Sequence, residues 1–331
     1  MQSDAGLATT SEVVATTGQG TAKPRRAWLA AILALLFPGL GHLYVCRPML
    51  SVLFIFVPRT ALTAILLVAV FQHAILLLTG IGVVVLFVAM RIVEISWAYR
   101  LARQNALKYE RVWYNRVIVY VAYAAAVTLL GDFHTRLIRS EIIEPFRILS
   151  SSMAPTLLPG DQLYAVKRGP LSQWDRGDVI VWSDSTGKAF ASRVMALGGD
   201  TIDITRQQVF VNGQPLPQTP CNSPEPLPSA LVAEDFAATS GSFACIRELS
   251  ARGKEYHIIH RADVERRHRS FKRVVVRPHH IFIMGDNRDN AADSRGYGDI
   301  SEELVIGRAV EIWLSFLPAE GIRWARMGKT L

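Results

Sequence analysis

Three stretches of this 331-residue chain contain no Asp, Glu, Lys or Arg, and they limit its possible folds more than any other feature. They cover residues 29–46, 60–90 and 117–131. A hydrocarbon core about 30 Å thick is crossed by about 20 apolar helical residues, or somewhat fewer when the flanks anchor the helix. The first half of the chain is therefore predicted to be a multi-pass α-helical membrane domain, rather than buried helices of a soluble protein.

The beginning of the chain has the pattern of a retained membrane anchor. Lys23, Arg25 and Arg26 precede the apolar run AWLAAILALLF, as in a secretory signal peptide. The sequence PGLGHLY then continues into further apolar residues instead of a polar mature start, which favours a segment that is not cleaved. Residues 1–22 contain little that could form a core and are predicted to be disordered. The membrane domain is thus predicted for residues 23–131.

Basic residues predict the orientation of this domain in the membrane. The segment 91–116 holds six of them, at Arg91, Arg100, Arg103, Lys108, Arg111 and Arg116. A short loop with such a cluster stays in the cytoplasm, so residues 117–131 should carry residues 132–331 to the periplasmic or extracellular side. A cytoplasmic amino terminus then needs an even number of crossings before Arg91. Three apolar runs precede it, interrupted by Pro48, Pro58 and Arg59, and one of them is a candidate re-entrant segment.

The net charge of +8 does not call for nucleic acid as a partner. Much of the excess lies in the basic loop and in the carboxy-terminal RWARMGK, where anionic lipid headgroups are the better match. The membrane is therefore the expected partner of the basic segments, and nucleic-acid binding is not expected.

Residues 132–331 have the pattern of a mainly β domain. Short β-branched segments such as QLYAVKR, DVIVW and HIFIMGD are separated by Gly, Pro and Asp. The Asn-Gly pair in VFVNGQPL lies between apolar residues and predicts a tight hairpin. Two cysteines of this exported half, Cys221 and Cys245, are predicted to form a disulfide, because their compartment permits one. The loop of about 24 residues would add about 3 kcal/mol of stability, whereas Cys46 is expected only to pack.

Four motifs follow one another in the exported half: SSSMAPTL, RGDVIVW, SRVMALGGD and MGDNRDNAADSRGYG. In this order and after a membrane anchor, they resemble bacterial type I signal peptidases, the membrane-bound serine endopeptidases that cut signal peptides from exported preproteins. The resemblance covers about residues 144–315, and the last motif is the most specific. It implies a signal peptidase-like β fold, exported preproteins as substrates and no cofactor.

The resemblance also implies roles for individual residues. Ser152, directly before Met153, falls at the nucleophile, and Ser150 falls where a hydroxyl joins a backbone N–H in an oxyanion hole, whose donors must point at the developing charge. Residues two apart on a strand share a face, so these two serines can serve one site while Ser151 points away. The family's shallow apolar pockets accept the small side chains of an A-x-A-like cleavage site. They correspond here to Phe146, Ile148, Leu157, Phe190 and Ala191, for each of which core packing is the alternative.

The last motif alternates acidic and basic residues. Asp286, Arg288, Asp293 and Arg295 are predicted to form an ion-pair scaffold beside the site. Met153 of the first motif and Arg193 of the third motif are expected to have structural roles near the site. So many aspartates also suggest a metal site, but the interleaved arginines would repel a cation. No metal ion is therefore expected.

One departure from the family concerns the proton acceptor. The family's general base is a lysine, kept neutral by burial, directly before the arginine of the third motif. Arg193 is present here, but the position before it is Ser192. The family often has a serine after GDNRDN that hydrogen-bonds the lysine, and this position is Ala291. Lesser departures are Leu149 for a usual proline and Ser151 for a usual glycine.

Other residues are candidates for the base. Lys188 lies about 13 Å along the strand from Ser192, beyond the reach of its side chain. A histidine suits a serine nucleophile, and the chain offers His257, His260, His279 and His280, although their spacing does not point to Ser152. Three hypotheses result: a signal peptidase with an unusual base, a silent homolog that binds exported peptides or partner membrane proteins, and an unrelated membrane protein with a β-rich module.

Overall fold

The computed structural model describes residues 25–71, 76–104, 112–167, 172–221, 243–261 and 270–331. The predicted disordered tail 1–22 lies outside these ranges, as do Lys23, Lys108 and Arg111. The described residues belong to two compact units. One comprises those of Met1–Pro58 and Val88–Thr128, and the other those of Arg59–Phe87 and Leu129–Leu331.

The first half of the chain is helical, as predicted. Helices α1 to α5 cover Ala27–Leu36, Leu40–Tyr44, Pro48–Phe71, Leu76–Gln104 and Val117–Glu141. Three of them contain segments long and apolar enough to cross a membrane, at Pro48–Val68, Leu78–Gln104 and Val117–Glu141. Helix α1 has 10 residues and is about 15 Å long, which is too short for a crossing.

The helices differ from the predicted apolar runs and the predicted loop in three ways. Residues 91–104 of the predicted basic loop 91–116 belong to helix α4. The charge-free run 60–90 is divided between α3 and α4, and Pro58 lies inside α3 instead of interrupting it. Helix α5 continues beyond residue 131 to Glu141, so the predicted boundary between the two domains falls within a helix. The extension is polar, and the Asp132–Arg136 ion pair, 2.7 Å apart at positions i and i+4, supports it.

In the first unit, α1 and α2 form a short pair that is bound to α4. The backbone N–H of Gly39 donates to Glu94 at 2.5 Å, and Arg91 pairs with Glu94 and donates to the Ala34 carbonyl. Glycine suits this turn because its φ of 81° lies in the left-handed region. Small residues let the backbones approach closely, and they are found on both sides of the contact, at Ala30, Ala34, Ala98 and Ala102.

The second half is mainly β, as predicted. In chain order, strands β1 to β16 cover Ile143–Arg147, Asp161–Val166, Val179–Ser183, Ala189–Leu197, Thr201–Thr205, Gln208–Val211, Gln214–Pro215, Gln218–Pro220, Phe243–Leu249, Glu255–Arg261, Phe271–Val275, His280–Met284, Ile300–Ser301, Val305–Leu317, Gly321–Ile322 and Lys329–Thr330. One further short helix, α6, covers Ser294–Tyr297.

These strands form three antiparallel sheets. The largest has nine strands in the order β1-β2-β14-β3-β4-β12-β13, with β15 and β16 also paired to β14. The smaller sheets have the orders β10-β9-β8 and β11-β5-β6-β7. Strand β14 has 13 residues and joins β2 to β3, although the sequence pattern did not single it out.

The predicted hairpin at Asn212 and Gly213 is confirmed. It connects β6 to β7, and both residues have positive φ, 53° and 76°, as a type I′ turn requires. The structure also joins Cys221 to Cys245, with Cα atoms 5.3 Å apart. These residues adjoin or belong to the paired strands β8 and β9, and the Cys221 N–H donates to the Cys245 carbonyl at 3.1 Å.

The two faces of the neighbouring strands β3 and β4 enter different cores. Alternate residues of a strand point to opposite faces. Val179, Val181 and Ala191 pack with the cluster that contains Ile148 and Met153. Residues Ile180, Trp182, Phe190 and Val194 instead pack with Ile281 and Ile283 of β12. Position 192 therefore belongs to the second face.

Candidate active site

The three serines lie in a turn that follows β1, not on a strand as the sequence suggested. Ser150 is exposed and Ser152 is half-buried, and their Oγ atoms are 3.1 Å apart, within hydrogen-bond distance. Ser151 is buried, and its hydroxyl accepts from the Asn290 side chain at 3.1 Å. The turn thus brings together the predicted nucleophile and oxyanion-hole hydroxyl and directs Ser151 elsewhere.

Position 192 lies across a strand ladder from the end of β12. Strands β4 and β12 are antiparallel, and Met284 pairs with Arg193. Extending this register by one residue places Gly285 opposite Ser192. Directly opposite residues on an antiparallel pair have Cβ atoms about 5 Å apart on the same face.

Gly285 has both Ser152 and Ala291 against it. A Cβ atom built on Gly285 would lie 2.5 Å from the Ser152 carbonyl oxygen and would overlap the Ala291 Cβ. The Ser152 carbonyl is further held by the Asn287 N–H at 3.0 Å. Three positions that the sequence assigned to the nucleophile, the base and its partner therefore surround one glycine.

The Ser192 side chain is buried and has a specific partner. The Trp182 indole N–H donates to its Oγ at 3.1 Å. The Trp182 ring is stacked on Phe190, with centroids 5.2 Å apart, and the Tyr297 ring centroid lies 5.9 Å away. A serine hydroxyl has no basic lone pair comparable to that of an amine, so Ser192 is not a substitute base.

The alternative bases are distributed as follows. Lys188 is exposed, and its ammonium lies 5.3 Å from the Phe190 ring centroid. His279 precedes β12, and His280 is its first residue. His257 lies on β10, opposite Arg247 of β9 in the strand register. His260 is buried against the last motif, with Nδ1 3.4 Å from Asp289.

Lys254, between β9 and β10, is a half-buried lysine. Burial lowers its pKa, against the neighbouring Asp178 carboxylate, which raises it. Its ammonium donates to Asp178 at 2.8 Å and to the Leu331 carbonyl at 3.0 Å. These two contacts direct the Lys254 side chain to Asp178 and to the carboxy-terminal residue.

The predicted scaffold of ion pairs is present with different partners. Arg193 binds Asp286 through two contacts of 2.7 and 2.5 Å, and Arg288 binds Glu248 at 2.5 Å. All four side chains are almost fully buried. Asp286 and Arg288, neighbours in the motif, therefore do not pair with each other.

The remaining predicted pair is local. Asp293 precedes α6 and binds Arg295 at 2.6 Å, and it also accepts from the Gly285 N–H at 3.0 Å, which ties the loop to the end of β12. Asp286 also accepts from the Thr156 hydroxyl at 2.5 Å. The loop thereby holds the serine turn and Gly285 in one arrangement.

Buried charges around the scaffold have shifted pKa values. Burial would raise the pKa of Glu248, but the Arg288 charge and the hydrogen bonds that Glu248 accepts outweigh it and hold this pKa below its ordinary value. Burial and the Glu248 charge raise the pKa of Tyr256 well above its ordinary value. The Tyr256 hydroxyl donates to Glu248 at 2.8 Å, and its ring lies 3.9 Å from the Arg193 guanidinium.

Four of the five predicted pocket residues share one cluster. Ile148 and Leu157 belong to its buried part, and Phe146 and Ala191 pack against it. Phe190 lies on the opposite face with Trp182. Leu157 is fully buried, which fits a core role, whereas Phe146 and Ala191 are partly accessible.

Sequence reasoning missed several residues of the site. Trp182 lies within the quoted motif RGDVIVW, and period-two counting along β3 would have placed it on one face with Ile180. Glu248 and Asn290 gave no signal of this kind, because their partners are 40 and 139 residues away.

The fold and the site together define a class of protein with apolar helices followed by a β domain that carries a serine turn and a buried ion-pair scaffold. Residues 114–314 match the family described as signal peptidase, peptidase S26. The match covers more than half of the chain, and the chain belongs to the signal peptidase family.

Curated relatives agree with this assignment. Signal peptidase I of Buchnera aphidicola subsp. Schizaphis graminum is 30% identical over an alignment 242 residues long, which covers 58% of this chain and 76% of that protein. Signal peptidase I of Pseudomonas aeruginosa is 29% identical over an alignment 210 residues long, which covers 56% of this chain and 69% of that protein. Signal peptidase I of Bacillus amyloliquefaciens is 26% identical over an alignment 207 residues long, which covers 62% of this chain and 85% of that protein.

Proposed function

We propose that this chain binds the signal peptides of exported preproteins and cleaves them slowly, with Ser152 as the nucleophile. The observation that carries the proposal is the 3.1 Å contact between the Ser150 and Ser152 hydroxyls, on a turn fixed to the Gly285–Asn287 segment. Membership of the signal peptidase family supports the choice of substrate.

The proposed reaction is an acyl transfer. The Ser152 Oγ bonds to the scissile carbonyl carbon as its proton passes to a water molecule, and the carbonyl π electrons move to oxygen. The Ser150 hydroxyl and the Ser152 N–H stabilise this oxyanion. Collapse breaks the C–N bond, the amine of the mature protein takes a proton, and water then hydrolyses the Ser152 ester.

The rate should be limited by the first proton transfer. General-base catalysis contributes about 10²–10⁴-fold, and position 192, where the family has its lysine, carries a hydroxyl. We therefore expect cleavage slower by about that factor than in a relative with the lysine. Slow cleavage is compatible with an intact binding site, because the ion-pair scaffold does not depend on the base.

A second candidate is binding of exported peptides without cleavage. The hydrogen bond from Trp182 to Ser192 favours binding without cleavage. The position where the family has its base is occupied by a hydroxyl that is bound to an indole N–H, and neither group takes part in proton transfer. The peptide would still lie beside Ala191 and Phe146, the partly accessible members of the predicted pocket.

The proposed site faces the exported side of the membrane. The segments in α3, α4 and α5 are taken as three crossings. Arg100 and Arg103 at the end of α4 and Arg116 just before α5 keep the connection between these two helices in the cytoplasm. Two crossings precede it, so residues before α3 are also cytoplasmic. In this arrangement helix α1 is the re-entrant segment. The turn that follows it is bound to α4, because the Gly39 N–H donates to Glu94.

Full-length protein in detergent micelles tests both candidates. A preprotein with an A-x-A site is incubated with wild type and with Ser152→Ala, cleavage is followed by mass spectrometry, and binding by fluorescence anisotropy of a labelled signal peptide. We expect slow cleavage at the site, abolished by Ser152→Ala with binding retained. Binding without cleavage establishes the second candidate. Absence of both contradicts the assignment of signal peptides as ligands.

A further inference from the structure

The side chain of Trp182 is fixed in one orientation next to position 192. It is 6% exposed, and Ser192 is 5% exposed. The ring contacts Phe190 and Tyr297, and the indole nitrogen is 3.1 Å from the Ser192 Oγ. Because an indole nitrogen is only a donor, its N–H points at position 192.

This orientation conflicts with a base at position 192. A neutral lysine amine has one lone pair, and it must accept the Ser152 proton with that pair. The Trp182 N–H would compete for the same lone pair. A lysine is also longer than serine, and a close-packed interior yields to added methylenes only by moving its neighbours, here the Trp182 ring.

We propose that Trp182 is a positioning residue that prevents position 192 from serving as a general base, and that the Trp182–Ser192 pair sets the low reactivity of Ser152. The proposal rests on the proposed function for the assignment of Ser152 as nucleophile. It predicts that a lysine alone does not restore the reaction, whereas a lysine combined with removal of the indole N–H does.

The first experiment measures acylation of Ser152 by a fluorophosphonate probe, which needs no signal peptide. Full-length Ser192→Lys is compared with Trp182→Phe/Ser192→Lys, in which phenylalanine keeps a ring beside Phe190 but has no N–H. We expect at least tenfold faster acylation in the double variant, rising with pH as the lysine loses its proton. Equal rates in the two variants overturn the proposal.

A matched control makes the same chemical change elsewhere. Trp313 is stacked on Tyr164, with centroids 5.6 Å apart, and lies on β14. Trp313→Phe/Ser192→Lys should react like Ser192→Lys alone. A gain equal to that of the Trp182 double variant would show a general effect of removing an indole and would overturn the positioning role.

A second experiment is independent of the lysine and tests the pair directly. Melting temperatures are measured for Trp182→Phe, Ser192→Ala and their combination. If the hydrogen bond couples the two residues, the melting temperature of the double variant falls by less than the sum of the two single decreases. Ser192→Thr keeps a hydroxyl, so its melting temperature should stay close to that of the wild type. Additive losses overturn the proposal.

The outcomes separate this inference from the proposed function. Acylation that follows the expected order, without cleavage of any preprotein, contradicts the proposed function and leaves the role of Trp182 intact. If both lysine variants cleave preproteins at the same rate, the proposed function is supported and the role of Trp182 is contradicted. Lack of acylation in every variant contradicts both.

Discussion

Gly285 is the residue at which the serine turn, the last motif and the base position meet. Its α-carbon faces the Ser152 carbonyl, and no side chain fits between them. The position needs glycine because of close approach, not because of a positive φ. The oxygen on the opposite side is part of the backbone and cannot move aside as the end of a flexible side chain would.

We predict that Gly285→Ala slows acylation of Ser152 at least tenfold and lowers the free energy of unfolding by about 1–3 kcal/mol, the usual cost of overpacking. The physical reason is the overlap of the new methyl group with Ser152 and Ala291. Probe acylation and thermal melting measure the two effects.

Gly296→Ala is the matched control, at a glycine of the same sequence motif that lies in α6. A Cβ at Gly296 meets no atom within 4 Å, so both quantities should stay near wild type. If Gly285→Ala behaves like this control, the contact between Gly285 and the serine turn does not hold the site together.

Ser150 is the second residue whose role can be measured. Removing one oxyanion-hole donor costs about 10²–10³-fold in kcat. We expect Ser150→Ala to reduce cleavage by about this factor while leaving the affinity for a labelled signal peptide within about twofold. Ser151→Ala, which removes the acceptor for Asn290, should have a smaller effect on the rate. A larger loss in Ser151→Ala than in Ser150→Ala would contradict the assignment.

At the scale of elements, buried ion pairs connect strands that are distant in sequence. Arg193 on β4 is bound to Asp286 after β12, and Arg288 is bound to Glu248 on β9. Removing one partner of a buried pair leaves an uncompensated charge and costs about 3–5 kcal/mol. Exposed pairs are worth about 0–1 kcal/mol, and the chain offers one on the adjacent strand, between Arg247 and Glu255.

We predict that Glu248→Gln lowers the free energy of unfolding by about 3–5 kcal/mol at pH 7, whereas Glu255→Gln changes it by less than about 1 kcal/mol. Melting temperatures of the full chain in detergent provide the measurement. Equal losses in the two variants would mean that the Arg288–Glu248 pair contributes no more than an exposed one.

The same pair predicts a pH dependence. The pKa of Glu248 is lower in the folded protein than its ordinary 4.5, so the unfolded chain takes up its proton first. The stabilisation is present above pH 4.5 and is lost as the pH falls through the lower folded pKa. We expect the difference in melting temperature between wild type and Glu248→Gln to narrow below pH 4.5. A constant difference from pH 7 to pH 3 would contradict this linkage.

At the scale of the whole molecule, the helices and the β domain imply one topology. We predict that reporters fused after Cys46 and after Trp113 read cytoplasmic and that one fused after Ser183 reads exported. Two helices long and apolar enough to cross a membrane lie between the first two positions, and one such helix lies between the last two. An exported signal after Cys46 would show that α1 and α2 cross, and equal signals after Trp113 and Ser183 would show that α5 does not.

Much of this organisation is present in local sequence. Charge-free runs indicate the helices, alternation and an Asn-Gly pair indicate the strands and a hairpin, and four motifs in order indicate the family. Each of these signals lies within a few residues or within one helix, because the bilayer, the strand pleat and the turn impose their patterns on neighbours in the chain. The absence of lysine at position 192 is equally visible, since Arg193 fixes the register.

The tertiary structure decided which distant residues meet. Asp286 binds Arg193, 93 positions away, instead of the adjacent Arg288, because strand pairing carries β4 alongside β12. The serines share a site through a turn and not through a strand face. The partner of Ser192 is Trp182, because β3 and β4 are antiparallel and their diagonal side chains meet on one face. Sequence motifs specify the chemical groups of this site, and the register of the sheet determines which of them can react.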